Sequence, residues 1–244
     1  MQEAYYIQMK IHRFIGDFNL SKEEVEITNP ENIKQIKDIL RLKKGEKIIL
    51  SDGKGTEAEI TLDLMSKNKI TGIVGKLTRP VDATGSGEAK KVNLYLAILK
   101  KENFELAVQK AVEVGVSSVV PVITERTIKT GLNIERLKKI ITEASEQSGR
   151  SVVPTLSPIL DFKSAILEAQ KSDERIIFHF VDQTYKPDKN AKSISIFVGP
   201  EGGFTEKEIK LAKDSHFSLA SLGEFTLRGE TAAIVGTYRA VNGI

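Results

Sequence analysis

The sequence predicts an α/β protein in two parts: a small β-barrel with one helix in residues 1–80, and a layered α/β domain in residues 92–244. In the first part, short apolar runs of strand length are separated by turn signals. In the second part, strand and helix patterns alternate, which favours a mostly parallel sheet. Residues 81–91 are small, polar and glycine-bearing, as is typical of a linker.

Composition excludes several classes of protein. The chain has no cysteine, so disulfides and thiolate chemistry are excluded. Its three histidines, His12, His179 and His216, lie far apart in the sequence, and we expect no metal site. No apolar run approaches the roughly 20 residues of a membrane span, and the N-terminus lacks a signal-peptide pattern, so we expect a cytoplasmic protein. The net charge of +3 fits either an RNA partner or an ordinary mixed surface.

The elements of the first part follow from local patterns. Isoleucines spaced by about one helical turn predict a helix over residues 30–42, with Asn29 as its cap. The glycines of residues 52–55 are more typical of a hairpin turn than of a phosphate loop. The predicted strands cover residues 10–15, 25–27, 47–51, 57–64 and 70–77.

The second part repeats strand, loop and helix. Gly115 is placed to end one helix and Asn133 to cap the next. His179 is interpreted as a packing residue at a strand end. The predicted strands cover residues 92–99, 116–123, 176–180, 194–198 and 217–222, and the predicted helices cover residues 102–114, 134–148, 162–170, 205–214 and 230–241.

Two glycine loops near the C-terminus carry most of the functional information. The first, residues 199–204, joins a strand to a helix that Thr205 and Glu208 are spaced to cap as a capping box. The second, residues 222–229, repeats this arrangement. One such loop is equally typical of a tight turn, whereas two at the carboxyl ends of parallel strands predict a pocket of exposed backbone groups suited to a nucleoside-like cofactor.

The residues of these loops resemble a known family. Gly199-Pro200-Glu201-Gly202-Gly203-Phe204, Leu222-Gly223, Leu227-Arg228 and Glu230-Thr231-Ala232 are similar to the SPOUT-class RNA methyltransferases, and within them to the 16S ribosomal RNA uracil-N3 methyltransferases. Further matching blocks include residues 109–116, Glu125-Arg126, residues 146–150 and His12-Arg13-Phe14. The resemblance therefore covers nearly the whole chain.

The resemblance implies a fold, a cofactor and partners. We expect a PUA-like barrel that helps to hold RNA, and a SPOUT α/β domain with a trefoil knot that binds S-adenosyl-L-methionine in its knotted loops. The substrate would be one uridine of 16S rRNA in the 30S subunit, and the enzyme would be a homodimer. The implied cofactor-binding residues are Phe197, Gly199, Pro200, Gly202, Leu222, Gly223, Leu227 and Thr231.

The implied chemistry assigns roles to three residues. N3 of uracil carries a proton that must leave, and negative charge then develops on the flanking carbonyl oxygens. Arg228 is the candidate for stabilising that charge, and Glu230 or Glu201 is the candidate for accepting the proton. The alternative for Glu230 is a favourable position at a helix start, and Glu201 is alternatively an ordinary loop residue.

Four arginines are candidates for RNA contacts: Arg13, Arg41, Arg126 and Arg150. Arginine binds phosphate groups through a planar fork of donors, which makes it a stronger candidate than a solvated lysine. For Arg150, the alternative is a contact with the carbonyl groups at a helix end.

The chain also departs from the family pattern. It has Glu224-Phe225 where Pro-Arg is usual after Leu-Gly, and Gly229 where threonine is usual. Three alternatives therefore stay open: a SPOUT methyltransferase acting on another RNA, a non-catalytic RNA-binding or ribosome assembly factor, and a generic nucleotide-binding α/β protein.

Overall fold

The computed structural model describes residues 11–78, 90–128 and 131–244. The chain forms two compact units. The first unit comprises the described residues of Met1–Pro80 together with Gly149–Val152. The second unit comprises the described residues of Val81–Ser148 and Val153–Ile244. Residues 81–89 of the predicted linker lie outside the described residues. Residue 10, the start of the first predicted strand, lies outside them as well.

The first unit is built on a five-stranded sheet. Its order is β1-β3-β4-β5-β2, with β1 parallel to β3 and the other neighbours antiparallel. The Asp52 carboxylate accepts hydrogen bonds from the backbone N–H groups of Lys54 and Thr56, which confirms the predicted hairpin turn. The strands are β1 (Arg13–Ile15), β2 (Glu24–Ile27), β3 (Lys47–Ser51), β4 (Glu57–Met65) and β5 (Ile70–Thr78).

The helix of this unit is shorter than predicted. Helix α1 covers Pro30–Lys34, and the Asn29 side chain caps it as expected. A π-helical turn, Gln35–Ile39, continues it. The predicted end at residue 42 is wrong because Arg41 adopts a left-handed conformation with φ of 57°. The helix packs on a core that includes Phe14, Ile27, Ile36, Leu50 and Ile60.

The second unit contains a seven-stranded parallel sheet. Its main order is β12-β10-β11-β6-β7-β8, and β9 also pairs with β7. The alternation therefore predicts the parallel sheet correctly. Only the two-residue strands β8 and β9 lack a periodic signal. The strands are β6 (Lys91–Ala97), β7 (Ser118–Ile123), β8 (Thr155–Leu156), β9 (Leu160–Asp161), β10 (Glu174–Phe178), β11 (Ser193–Val198) and β12 (Ser218–Ala220).

Helices cover both faces of this sheet. Side chains alternate along β6, so Leu94 faces one helical layer and Tyr95 faces the other. Gly115, with φ of 106°, follows the end of α2, and the Asn133 side chain accepts the Arg136 N–H at the start of α3. One layer contains α2 (Lys101–Glu113), α3 (Ile134–Ser148) and α6 (Gly229–Asn242), and the other contains α4 (Phe162–Ala169) and α5 (Glu206–Asp214).

The carboxyl edge of the sheet positions the functional loops. Strand β11 lies between β6 and β10, and β12 lies on the far side of β10. The loop that leaves β11 after Val198 and the loop that leaves β12 after Ala220 therefore emerge at the same edge. None of the helices in the described ranges has the length and apolar character needed to cross a membrane.

Candidate functional site

A cavity of about 690 Å³ lies at this edge. Both glycine loops line it, together with the N-terminal end of α2 and the end of β10. This volume is within the usual range for a small-molecule site. The two loops that the sequence selected are therefore brought together around one concave space.

The first loop has a fixed shape. The Gly203 N–H donates to the carbonyl oxygen of Pro200 at 2.8 Å, and Gly203 adopts a φ of 68°. The Thr205 side chain accepts the Glu208 N–H while the Glu208 carboxylate accepts the Thr205 N–H, which confirms the predicted capping box. These hydrogen bonds fix the backbone conformation of the first loop and of the helix start that follows it.

Three side chains tie the first loop to neighbouring elements. The Glu201 carboxylate accepts a hydrogen bond from the Lys100 N–H, at 3.3 Å, where α2 begins. The Arg126 guanidinium donates to the carbonyl oxygen of Gly202 at 2.5 Å. The buried Glu208 carboxylate also accepts the Glu125 N–H at 3.0 Å. These contacts hold the loop against the segments that follow β6 and β7.

The second loop leads directly into α6. Arg228 precedes the helix, and its carbonyl oxygen accepts the Ala232 N–H. Its side chain is exposed and, within the part of the chain that the structure describes, forms no hydrogen bond or ion pair. The backbone of Gly229 is so close to Leu99 that an added Cβ would lie 2.8 Å from Leu99 Cδ2. Glycine at this position therefore lets the helix start approach the end of β6.

Glu230 is the most informative polar residue of the cavity. It lies in the first turn of α6 and is only 8% exposed. Its Oε2 atom has no hydrogen-bond partner among the described residues. A buried carboxylate oxygen without a partner is costly in a folded protein, so it indicates a group prepared for a ligand.

The structure brings together most of the predicted cofactor residues. Phe197 is an exception: its buried ring stacks on Tyr95 with centroids 4.4 Å apart, on the face covered by α4 and α5. Thr231 also lies outside the set that lines the cavity. The residues that do line it are Gly199, Pro200, Gly202, Leu222, Gly223 and Leu227.

Sequence reasoning missed several residues of the cavity. Asn103 contributes from α2, and His179, interpreted as a packing residue, is half-buried and lines the space. Phe180 and Phe225 complete its rim. Phe180 follows β10 and Phe225 lies in the second glycine loop, and hydrophobic periodicity does not predict which side chains of such segments stay exposed.

The predicted RNA-binding arginines have different environments. Arg13 forms an ion pair with Glu57 in which both side chains are only 11% exposed, and burial lowers the pKa of Arg13. That contact gives Arg13 a structural role and leaves it little surface for a phosphate. The Arg41 side chain is exposed. Arg150 belongs to the first unit, and partial burial of its guanidinium lowers its pKa. Arg126 holds the glycine loop, as described above.

Metal chemistry has no support in the side-chain arrangement. Across residues 11–78, 90–128 and 131–244, no three histidine, cysteine, aspartate or glutamate side chains form a group able to hold a metal ion.

Comparison with known families agrees with both units. Residues 87–239 match an RNA methyltransferase domain, and residues 27–75 match an RNA methyltransferase PUA domain. The chain therefore belongs to the RNA methyltransferase family and combines an α/β methyltransferase domain with a PUA-like domain.

Individual relatives have more specific names. Ribosomal RNA small subunit methyltransferase E of Rickettsia conorii is 29% identical over 93% of this chain and 93% of the relative. The protein of the same name from Mesomycoplasma hyopneumoniae is 34% identical over 62% of this chain and 69% of the relative. A crystal structure of this methyltransferase from Neisseria gonorrhoeae, bound to S-adenosyl methionine, matches with a TM-score of 0.80 and 29% identity over 93% of this chain and 95% of that one.

Proposed function

We propose that this chain transfers a methyl group from S-adenosyl-L-methionine to N3 of one uridine in the 16S rRNA of the small ribosomal subunit. The names of the full-length relatives and the cofactor in the related crystal structure support this proposal. The observation that carries it is the buried Oε2 atom of Glu230, which has no hydrogen-bond partner among the described residues and belongs to a cavity framed by two glycine loops.

The residues of the cavity fit this cofactor. S-adenosyl-L-methionine carries positive charge on its sulfur, which donates no hydrogen bond. The Glu230 carboxylate in the cavity lining would stabilise that charge while its Oε2 atom, without a hydrogen-bond partner among the described residues, can still accept a proton. The adenine ring of the cofactor is planar and carries hydrogen-bonding groups at its edge. The ring faces suit the apolar side chains of Leu222 and Leu227, and the edge suits the backbone of residues 199–203. Glycines in both loops let a ligand approach the backbone closely.

The chain's own residues supply the remaining chemistry. The cofactor provides a methyl group bonded to a positively charged sulfur, and N3 of uracil receives it once the N3 proton has left. Glu230 accepts that proton, since its Oε2 has no hydrogen-bond partner in the part of the chain that the structure describes. Arg228 donates to a uracil carbonyl oxygen, where negative charge develops, because its exposed guanidinium has no competing partner within the described residues.

Glu201 has a positioning role in this proposal. Its carboxylate accepts the Lys100 N–H at the start of α2, where negative charge is favourable. That hydrogen bond fixes the loop, and it leaves Glu230 as the better candidate for the proton acceptor.

The trefoil knot and the homodimer implied by the family resemblance are part of the proposal. The connection between β10 and β11 contributes Tyr185 to the core on the face where α6 packs. Arg239 of α6 donates to the carbonyl oxygen of Tyr185 at 2.7 Å, and the Phe178 and Tyr185 rings meet edge to face at 5.3 Å. These contacts hold the β10–β11 connection against α6.

Methyl transfer to defined RNAs tests the proposal. Small subunits from a strain lacking the gene are incubated with purified protein and methyl-labelled S-adenosyl-L-methionine, and the RNA is digested and examined by mass spectrometry. We expect one N3-methyluridine per 16S rRNA. Label in transfer RNA would favour a different RNA substrate, and cofactor binding without label in any RNA would favour a non-catalytic factor.

A further inference from the structure

Two exposed phenylalanine rings lie at the rim of the cavity. Phe180 is 74% exposed and Phe225 is 82% exposed, although most large apolar side chains of this unit are buried. Both rings belong to the lining of the cavity that the two glycine loops frame. Exposed aromatic surface beside a cavity is typical of a recognition site.

The sheet explains why the two rings share this edge. Phe180 follows the end of β10 by two residues, and the His179 N–H donates to the carbonyl oxygen of Ala220 at 3.0 Å. That hydrogen bond joins the end of β10 to the end of β12, and the loop leaving β12 carries Phe225. The segments that carry the two rings therefore leave adjacent strands at the same edge of the sheet.

The charges around Phe225 argue against a phosphate contact at this part of the rim. Its neighbour Glu224 is exposed and acidic. Glu224 and Phe225 therefore present a carboxylate and an uncharged ring, whereas a phosphate group binds to a cationic side chain. The nearest arginine along the loop is Arg228, already assigned to the uracil oxygens. An uncharged planar group is the ligand that such a ring binds best, and an unpaired nucleobase is one.

We propose that Phe225, together with Phe180, stacks on unpaired bases of the substrate RNA at the mouth of the cavity. The inference rests on the proposed function, because that function makes RNA the occupant of the rim. The rings would bind bases that no longer stack on their neighbours in the RNA. Because stacking involves no phosphate contact, its contribution to the affinity would be largely independent of salt concentration.

Binding of an oligouridine of ten nucleotides tests the proposal without requiring methyl transfer. Its affinity is measured by fluorescence anisotropy in the presence of S-adenosyl-L-homocysteine. Loss of one base–aromatic stack is expected to weaken binding about 5- to 150-fold in Phe225→Ala. Phe225→Leu should be weakened similarly because it keeps an apolar side chain without a π face, whereas Phe225→Trp should retain the affinity. Phe180→Ala should also weaken binding.

The salt dependence of binding and a matched control separate stacking from other roles. The slope of log affinity against log salt concentration should be unchanged in Phe225→Ala, because the variant removes no contact with a phosphate. Leu167, 57% exposed on α4 and outside the cavity lining, provides the matched control, and Leu167→Ala should bind oligouridine like the wild type.

Several outcomes would overturn the stacking proposal. They are undetectable oligouridine binding by the wild type, equal binding by Phe225→Ala, or full affinity in Phe225→Leu. A loss of self-association in Phe225→Ala, measured by sedimentation, would also overturn it by indicating a second copy of the chain as the occupant. Failure of the proposed function gives a different result: ring-dependent oligouridine binding would persist while no RNA became methylated.

Discussion

The Arg126 guanidinium donates a hydrogen bond to the carbonyl oxygen of Gly202, and the aliphatic part of the same side chain covers the glycine. A Cβ added at Gly202 would lie 3.3 Å from Arg126 Cδ. Arg126 therefore supports the first glycine loop from the segment that follows β7, and its role in this structure is to position the loop.

Replacing Arg126 should weaken cofactor binding. Arg126→Ala removes a charge-assisted hydrogen bond to an exposed loop, and we expect the dissociation constant for S-adenosyl-L-methionine to rise about 3- to 10-fold. Calorimetric titration measures this change. Arg136, an exposed arginine paired with Glu105 away from the cavity lining, is the matched control, and Arg136→Ala should not alter the titration. Unchanged affinity in Arg126→Ala would argue against the positioning role.

Glu230→Gln should separate proton transfer from packing. Glutamine keeps the size and an acceptor oxygen but loses the basic carboxylate, so we expect kcat to fall about 10²- to 10⁴-fold. The thermal midpoint should stay close to that of the wild type because Oε2 accepts no hydrogen bond from any described residue. Glu206 is the first residue of α5 and lies outside this cavity, and Glu206→Gln should keep full turnover. Wild-type turnover in Glu230→Gln would contradict the proton-acceptor role.

Arg228→Ala should reduce turnover without unfolding the protein. Loss of a donor aimed at developing negative charge typically lowers kcat about 10²- to 10³-fold. Since the side chain is exposed, circular dichroism and the thermal midpoint should change little. Arg228→Lys keeps the charge without the planar fork and should give intermediate turnover. A kcat within twofold of wild type in the alanine variant would refute the assigned role.

Gly236→Ala should destabilise the second unit despite the better helix propensity of alanine. A methyl group at this position of α6 would overlap the ring of Phe178, whose Cζ would be only 2.9 Å away. Overpacking costs about 1–3 kcal/mol and the propensity gain offsets about 1 kcal/mol, so we expect a net loss of up to about 2 kcal/mol. Chemical denaturation measures it. Adding Phe178→Leu should recover part of the loss, whereas an unchanged or higher stability of Gly236→Ala would show that the packing is looser than described.

Much of the fold was predictable because it depends on local patterns. Asn29 and Asn133 act as the expected caps, and the Thr205–Glu208 capping box forms as predicted. The end of the first helix was not predictable in this way. The left-handed conformation at Arg41 is unusual for a residue with a β-carbon, and nothing in the isoleucine spacing indicates it.

The parts of the candidate site that are formed by the backbone could be predicted from the sequence. The parts that depend on the direction of a side chain could not. Glycines and strand order placed both loops at one sheet edge. Phe197 lies next to the first loop in sequence, yet the period-two alternation of β11 turns its ring to the opposite face of the sheet. Arg13 matched a family block, but its contact with Glu57 depends on the pairing of β1, β3 and β4, which is non-local.

A calorimetric titration of S-adenosyl-L-methionine into the purified protein shows whether the two glycine loops enclose a site for this cofactor. We predict saturable binding to one site per chain, competition by S-adenosyl-L-homocysteine, and weaker binding in Arg126→Ala. Absence of binding to a correctly folded protein, or binding unaffected by changes in either glycine loop, would contradict it.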